Sequence, residues 1–277
     1  MTERTIPDEP SDIEKTLTAS RLDIPGSGFD HWWWLVVAVV ALIVFLVVFV
    51  PDPFQRGLEF MGEGVVISIK ITTISFLLVV VVGLIGGLGR LSRSPLIKGI
   101  ATLYVEVIRG IPLMVQLLFW YFAFPAIIQN LGTSMEWAAL RTYRPAAEPM
   151  AILGLTICYG AYMSEIYRAG IQSIGKGQME AARSLGMTPV QSMRYVILPQ
   201  AFRVVLPPIG NEFISLLKDS SLVSVVAVAD LTRRGREFSA ISALPIETWT
   251  MVALLYLVMT LLSARAVNWI EKKTSLQ

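Results

Sequence analysis

The feature that most constrains this chain is an apolar run from Trp32 to Val50, which is 19 residues without one polar side chain. A helix of about 20 apolar residues crosses the roughly 30 Å hydrocarbon core of a bilayer, because each residue rises about 1.5 Å. The run is too long for the core of a signal peptide, and a Pro-Asp-Pro beginning at Pro51 follows it instead of a small-residue cleavage site. It therefore predicts an uncleaved transmembrane helix, anchored at the interface by the three tryptophans that end at Trp34.

Five further segments predict membrane-spanning helices. Four of them are uncharged, namely 71–88, 111–128, 149–164 and 248–264. The other, about 204–228, contains Glu212, Lys218, Asp219 and two prolines, so we expect its polar groups to face protein or water. The composition agrees, because only 16% of residues are charged, against about 25% in a soluble domain. The predicted fold class is all-α, a multi-pass transmembrane helix bundle with six spans joined by short connections.

Lysine and arginine in the connections predict the orientation. With both termini in the cytoplasm, fourteen of these residues lie in inside segments and six lie outside. Positive residues favour the cytoplasmic side of a bilayer, so this bias predicts that both termini are cytoplasmic. The cluster Arg233-Arg234-Gly235-Arg236 would lie outside, and it is the strongest sequence argument against this topology.

The remaining composition excludes several classes of protein. Residues 1–30 carry seven acids and three bases with no helical apolar period, which predicts a disordered cytoplasmic tail. Residues 1–30 have a net charge of −4, so the rest of the chain has a net charge of +6, which gives the total of +2. This positive charge is too small and too scattered for a nucleic-acid binder. A single cysteine, Cys158, and a single histidine, His31, predict no intramolecular disulfide and no metal site.

The predicted cytoplasmic connection 173–199 is unusually well defined. Its first part, Gln178–Leu185, is rich in helix formers and is followed by Gly186, where a left-handed cap would end the helix. A bend at a fixed position is then predicted.

A second helix is predicted directly after this bend. Thr188 as N-cap, Pro189 at the first helical position and Gln191 three residues after the cap form a capping box. We expect this helix to run to about Ile197 and to stop before Pro199. Two short helices with a fixed bend predict a cytoplasmic knob that a partner binds, and an ordinary interfacial helix pair is the alternative.

This segment resembles the EAA loop of ABC importer membrane subunits, on Glu180, Ala181, Ala182, Gly186 and the stretch from Val196 to Pro199. Other motifs resemble the polar amino-acid permeases of the histidine/glutamine type. They are Tyr104–Leu113, Gly160–Tyr162 with Glu165 and Arg168, Gly177-Gln178, Leu206–Pro208 with Asn211, and Leu217–Leu222. The resemblance covers about 60–270, with Val196 and Ser220 replacing the usual Ile and Thr.

The resemblance implies a five-span permease core, 56–272, with the helix-turn-helix coupling loop 173–199. Residues 31–55 would form an extra N-terminal span after the tail, 1–30. The implied function is a translocation pathway for a polar amino acid in the inner membrane. The implied partners are a cytoplasmic ATP-binding subunit dimer, a second permease subunit of the same or a similar kind, an extracytoplasmic amino-acid-binding protein and membrane lipid, but no nucleic acid.

The resemblance also implies that the chain is not an enzyme and holds no cofactor. It lacks the phosphate-binding GxxxxGK[ST] pattern, so ATP and Mg²⁺ would be bound by the partner ATPase. The implied contacts to that ATPase are Glu180, Ala181, Ala182, Gly186, Leu198 and Pro199. A secondary carrier driven by an ion gradient is the alternative function, although such carriers often show internal repeats and this chain shows none.

The candidate residues of the substrate pathway are Glu165, Lys218 and Asp219, because ionisable residues within spans are often functional. Glu165 with Arg168, like Glu106 with Arg109, has the i, i+3 spacing of a structural ion pair, so both interpretations stay open for Glu165. Lys218 and Asp219 point in directions about 100° apart on a helix, so each needs its own partner. A zwitterionic substrate or an inter-helix salt bridge would supply one.

Two further predictions concern helix packing. Lys70 near the outer end of the second span is expected to extend towards the interface. Gly83 and Gly87 form a small-xxx-small pair, which predicts close approach of another helix.

Overall fold

The computed structural model describes residues 32–275, and the regular elements within that range are all helical. In chain order the α-helices are α1 (Trp32–Phe49), α2 (Pro51–Arg90), α3 (Pro95–Gly110), α4 (Leu113–Leu118), α5 (Phe124–Ser134), α6 (Ala138–Arg141), α7 (Ala147–Ser173), α8 (Lys176–Ser184), α9 (Pro189–Ser192), α10 (Leu198–Asp219), α11 (Leu231–Ser242) and α12 (Pro245–Ser275). The predicted tail, 1–30, lies outside the described residues. The predicted all-α bundle is confirmed.

Four helical segments in the described range are long and apolar enough to cross a membrane, namely α1, α2, α12 and the stretch Leu113–Ser134. The spans predicted within α7 and α10 are helical but do not belong to this set. The helix α7 lies at the centre of the bundle, against α2, α3, α4 and α10. A central helix contacts protein more than lipid, so small and hydroxyl-bearing residues replace a uniformly apolar surface.

The centre of the bundle is the contact between α2 and α7. A β-carbon on Gly83 would lie 2.4 Å from Cγ of Met163, and one on Gly86 would lie 2.1 Å from Oγ of Ser164. One on Gly87 would lie 2.9 Å from the Ser164 carbonyl oxygen. No side chain fits into these gaps, so the close approach predicted from Gly83 and Gly87 is confirmed.

The first two predicted spans are not separated by a loop. Within α2, which has 40 residues, only Asp52 has non-helical backbone angles. At about 1.5 Å per residue the helix is roughly 60 Å long, twice the thickness of the hydrocarbon core. The expected connection before residue 71 is instead the first half of α2. It packs against α11, where the rings of Phe60 and Phe238 lie 5.7 Å apart.

The predicted helix stop before Pro199 is wrong. A π-helical segment, Met193–Ile197, joins α9 to α10, and the Leu198 N–H bonds to the Met193 carbonyl five residues back. The same arrangement, Phe119–Ala123, precedes Pro125 between α4 and α5. A proline lacks an N–H and crowds the carbonyl four residues before it, and the wider π turn relieves that crowding, so the helix continues.

The fifth predicted span, 204–228, is α-helical only as far as Asp219. A 3₁₀ segment, Ser220–Val226, follows and ends at Ala227, which has a left-handed φ of 64°. The chain then enters α11, which packs on α2 and α12.

Candidate functional site

The bend of the EAA loop is a complete Schellman motif. The Gly186 N–H donates to the Arg183 carbonyl at 3.0 Å, and the Met187 N–H donates to the Ala182 carbonyl at 3.2 Å. Gly186 has a φ of +80°, so the predicted left-handed cap is confirmed. Nothing lies within 4 Å of the place where its β-carbon would be, so backbone conformation and not space requires glycine here. The preceding helix, α8, begins two residues earlier and ends one residue earlier than predicted.

The predicted capping box after the bend is confirmed. The Gln191 N–H donates to Oγ1 of Thr188 at 3.3 Å, and the Thr188 N–H donates to Oε1 of Gln191 at 2.8 Å, with Pro189 at the first helical position. Because the π segment carries this helix into α10, the chain is helical without a break from Pro189 to Asp219. At about 1.5 Å per residue, this continuous helical stretch is roughly 45 Å long.

The surface of this loop carries apolar side chains exposed on both sides of the bend. Leu185 is 81% exposed and Val190 is 76% exposed, whereas Ala182 is buried. Glu180 is exposed and pairs with no cation among residues 32–275, and Ala181 is also exposed. Two large apolar side chains beside an unpaired carboxylate are typical of a surface that a partner covers.

The other implied coupling residues, Leu198 and Pro199, lie away from the bend. Both are exposed in the first turn of α10, directly after the π segment. They belong to the helical connection and not to the tip of the loop.

A polar cavity of about 280 Å³ lies between α7 and α10. The side chains that line it are Leu113, Cys158, Tyr159, Tyr162, Glu212, Ser215 and Asp219. The Tyr159 hydroxyl donates to Oδ2 of Asp219 at 2.6 Å. The Arg109 guanidinium lies 5.1 Å from the centre of the Tyr162 ring. Two carboxylates thus line the cavity, and a guanidinium that does not line it stacks on one of its wall residues, Tyr162. Such a set of charges complements a small ligand that carries both an ammonium and a carboxylate.

Of the three predicted pathway residues, the structure places only Asp219 in this cavity. Lys218 is exposed, does not line the cavity and has no ion-pair partner within the part of the chain that the structure describes. The inter-helix salt bridge that was the alternative for these two residues is therefore not formed within residues 32–275.

Glu165 lies in an ion network at the end of the bundle nearest the EAA loop. It accepts from Nη1 of Arg90 at 2.6 Å and from Nε of Arg168 at 2.9 Å. Arg90 also contacts Glu106 at 3.3 Å, so the pairing expected between Glu106 and Arg109 is wrong. The network joins α2, α3 and α7. This agrees with the structural role, one of the two interpretations of Glu165 that its spacing from Arg168 left open.

Most of the residues that line the cavity were not predicted from the sequence. Glu212, Ser215 and Asp219 follow an i, i+3, i+7 pattern on α10, which places them on one helix face and was the available signal. The tyrosines Tyr159 and Tyr162 gave no such signal, because their position depends on how α7 packs against α10.

The arginine cluster that opposed the predicted topology lies at the opposite end of the bundle and is partly paired with carboxylates. Arg233 bonds to Glu237 at 3.0 Å, and Arg234 contacts both Glu63 and Glu237. Two of the three arginines are thus neutralised by carboxylates. The Arg233 hydrogen bond also holds the pKa of the Glu237 carboxyl below its usual range. At the same end, Lys70 contacts Glu148 at 2.6 Å and so ties α2 to the start of α7.

Comparison with known proteins identifies the family. Residues 65–276 match the family described as binding-protein-dependent transport system inner membrane component. The glutamine transport system permease protein GlnP of Escherichia coli K12 is 36% identical over 211 residues, which cover 76% of this chain and 91% of GlnP. The L-cystine transport system permease protein TcyB of Bacillus subtilis is 37% identical over 221 residues, covering 76% of this chain and 88% of TcyB.

Solved structures agree with this result. A structure described as an amino acid ABC transporter with histidines superimposes with a TM-score of 0.69 at 37% identity, covering 79% of this chain and 96% of that chain. The MetNI methionine ABC transporter, at 21% identity and a TM-score of 0.62, shares the fold.

The chain belongs to the family of inner membrane components of binding-protein-dependent transport systems. It is a multi-pass inner membrane subunit of an ABC importer and a transport component rather than an enzyme. Membership of this family implies a separate ATPase partner and a second permease subunit, and it decides against a secondary carrier driven by an ion gradient.

Proposed function

We propose that this chain forms half of the translocation pathway for a polar amino acid and that the substrate passes the cavity lined by Glu212 and Asp219. The observation that carries this proposal is that two carboxylates line a cavity of about 280 Å³ while the Arg109 guanidinium stacks on Tyr162 in its wall. The ammonium of a polar amino acid can contact these two carboxylates, and its own carboxylate can contact the Arg109 guanidinium. The names of the relatives, glutamine and cystine permeases, support this class of substrate.

The EAA loop couples this pathway to ATP hydrolysis. A cytoplasmic ATPase dimer, which binds ATP and Mg²⁺, covers the exposed face of Leu185 and Val190, with Glu180 and Ala181 beside them. Closure of the dimer draws the loops of two permease subunits together. The unbroken helix from Pro189 to Asp219 carries that movement to the cavity.

The proposal also includes the orientation of the chain, the binding protein and the roles of Glu165 and Lys218. Both termini are cytoplasmic, and α1 is an extra span outside the permease core. An extracytoplasmic binding protein delivers the amino acid to the end of the bundle that carries the Arg234–Glu63 pair. Glu165 stabilises the cytoplasmic end of the bundle through Arg90, and Lys218 faces outward from the single subunit.

The experiment is uptake of radiolabelled polar amino acids into vesicles that contain the chain with its ATPase and binding protein. We expect Glu212→Gln and Asp219→Asn to weaken substrate affinity by about tenfold or more, as expected when a charge-assisted hydrogen bond worth roughly 1.5–3 kcal/mol is lost. Glu59→Gln is the matched control, because Glu59 is an exposed carboxylate on α2 that does not line the cavity. Wild-type uptake in both cavity variants would refute the proposed pathway.

A further inference from the structure

A second cleft, of about 310 Å³, lies between α2, α10 and α12, and it does not overlap the polar cavity. Its wall is almost entirely apolar and includes Phe76, Ile209, Phe213 and Val267. The hydroxyl of Ser263 also lines it but donates to the Met259 carbonyl at 2.8 Å, so it is already satisfied within its own helix. The cleft therefore suits a hydrocarbon chain and no polar ligand.

This cleft continues into a polar one of about 270 Å³, because Leu206 and Glu271 line both. Arg203 and Lys272 complete the charged lining of the second cleft. Arg203 is exposed and has no ion-pair partner among residues 32–275, and the half-buried Glu271 likewise pairs with no cation there. Two cations and one carboxylate thus meet at the mouth of an apolar cleft.

The backbone supplies one more acceptor at this mouth. Pro207 lies in the middle of α10 and lines the polar cleft. A proline has no N–H, so the Arg203 carbonyl, four residues before it, lacks its usual helical donor. A carbonyl without a helical donor can accept a hydrogen bond from a ligand that brings an N–H.

We propose that the two clefts together bind one phosphatidylethanolamine molecule of the surrounding membrane. One acyl chain occupies the apolar cleft, the phosphate contacts Arg203 and Lys272, and the primary ammonium contacts Glu271 and the Arg203 carbonyl. The charged residues of the site favour the headgroup of phosphatidylethanolamine over the headgroups of other lipids. Phosphatidylglycerol offers no ammonium to Glu271, and the trimethylated ammonium of phosphatidylcholine has no N–H to donate.

The test is native mass spectrometry of the detergent-solubilised transporter complex, titrated with phosphatidylethanolamine, phosphatidylglycerol and phosphatidylcholine of identical acyl chains. We expect phosphatidylethanolamine to bind at least about tenfold more tightly than the other two, as loss of a charge-assisted hydrogen bond implies. Equal retention of all three lipids would overturn the proposal.

Two variants separate the headgroup from the acyl chain. Arg203→Gln should weaken phosphatidylethanolamine binding about tenfold, while Ala266→Trp, an exposed position on the wall of the apolar cleft, should displace every lipid from the site. Lys273→Gln is the matched control, because Lys273 is a cation of the same last turn of α12 but lines neither cleft. Lipid binding in Arg203→Gln that equals that of the control would also overturn the proposal, whatever happens in Ala266→Trp.

Discussion

The hydroxyl of Tyr159 donates a 2.6 Å hydrogen bond to Oδ2 of Asp219, and this bond joins α7 to the last turn of α10 at the wall of the polar cavity. The central helix of the bundle is thereby tied to the helix that continues from the EAA loop. The position of the Asp219 carboxylate therefore depends on both helices.

Removing this bond should weaken substrate binding. Tyr159→Phe keeps the ring but loses a hydrogen bond to a carboxylate, which is worth roughly 1.5–3 kcal/mol. We expect the substrate concentration for half-maximal uptake to rise about tenfold, with normal assembly with the ATPase. Tyr167→Phe on the same helix is the control, because Tyr167 is half-buried and does not line the cavity. Equal effects of the two variants would contradict the role of the Tyr159 bond.

The ion network around Arg90 should contribute to stability. Arg90 and Glu165 are 13% and 27% exposed and 2.6 Å apart, so Arg90→Gln leaves a poorly hydrated carboxylate without one partner. We expect the free energy of unfolding to fall by roughly 1–3 kcal/mol and the unfolding temperature in detergent to decrease. Arg56→Gln is the control, because the Arg56–Asp52 pair is 3.8 Å apart with both side chains more than half exposed.

The same measurement decides the role of Glu165. If its role is structural, Glu165→Gln lowers the unfolding temperature about as much as Arg90→Gln does. Wild-type thermal stability combined with impaired uptake would instead return Glu165 to the substrate pathway.

The contact between α2 and α7 should not tolerate a methyl group. In Gly83→Ala the new β-carbon would lie 2.4–2.5 Å from Cγ and Cβ of Met163, which forces the two helices apart. We expect a loss of folded, detergent-stable protein, as overpacking costs roughly 1–3 kcal/mol or more. Gly62→Ala in the same helix has nothing within 4 Å and should be neutral or stabilising by up to about 1 kcal/mol. Similar yields of the two variants, by size-exclusion chromatography, would be inconsistent with this packing.

The features that were predicted correctly from the sequence depend on residues that are close together along the chain. The Gly186 cap and the Thr188 box depend on a few consecutive residues, and Gly83 with Gly87 depends on one helical turn. The pairing of Glu106 was wrong because Arg90 reaches it from another helix. No local rule indicates which of two cations is nearer once helices pack.

Pro199 shows a different limit of local rules. A proline usually ends a helix, and the predicted stop before Pro199 followed from that rule. The π segment before Pro199 allows the helix to continue, so the loop and the cavity share one helix. The cavity itself was only partly predictable, because Asp219 was indicated by its charge within a span, whereas Tyr159 and Tyr162 became significant only through packing.

ATP hydrolysis by the reconstituted complex is the measurement that shows whether the EAA loop couples this permease to its ATPase. In Gly186→Val, a branched side chain at a φ of +80° carries a strain of roughly 1–2 kcal/mol, which should open the bend between α8 and α9. Gly186→Asn tolerates this backbone conformation better, and Gly177→Ala lies in α8 with open space around it, so both should retain activity. We predict that Gly186→Val inserts normally but loses substrate-stimulated ATP hydrolysis in vesicles. Wild-type stimulation in Gly186→Val would mean that the EAA loop is not the coupling element.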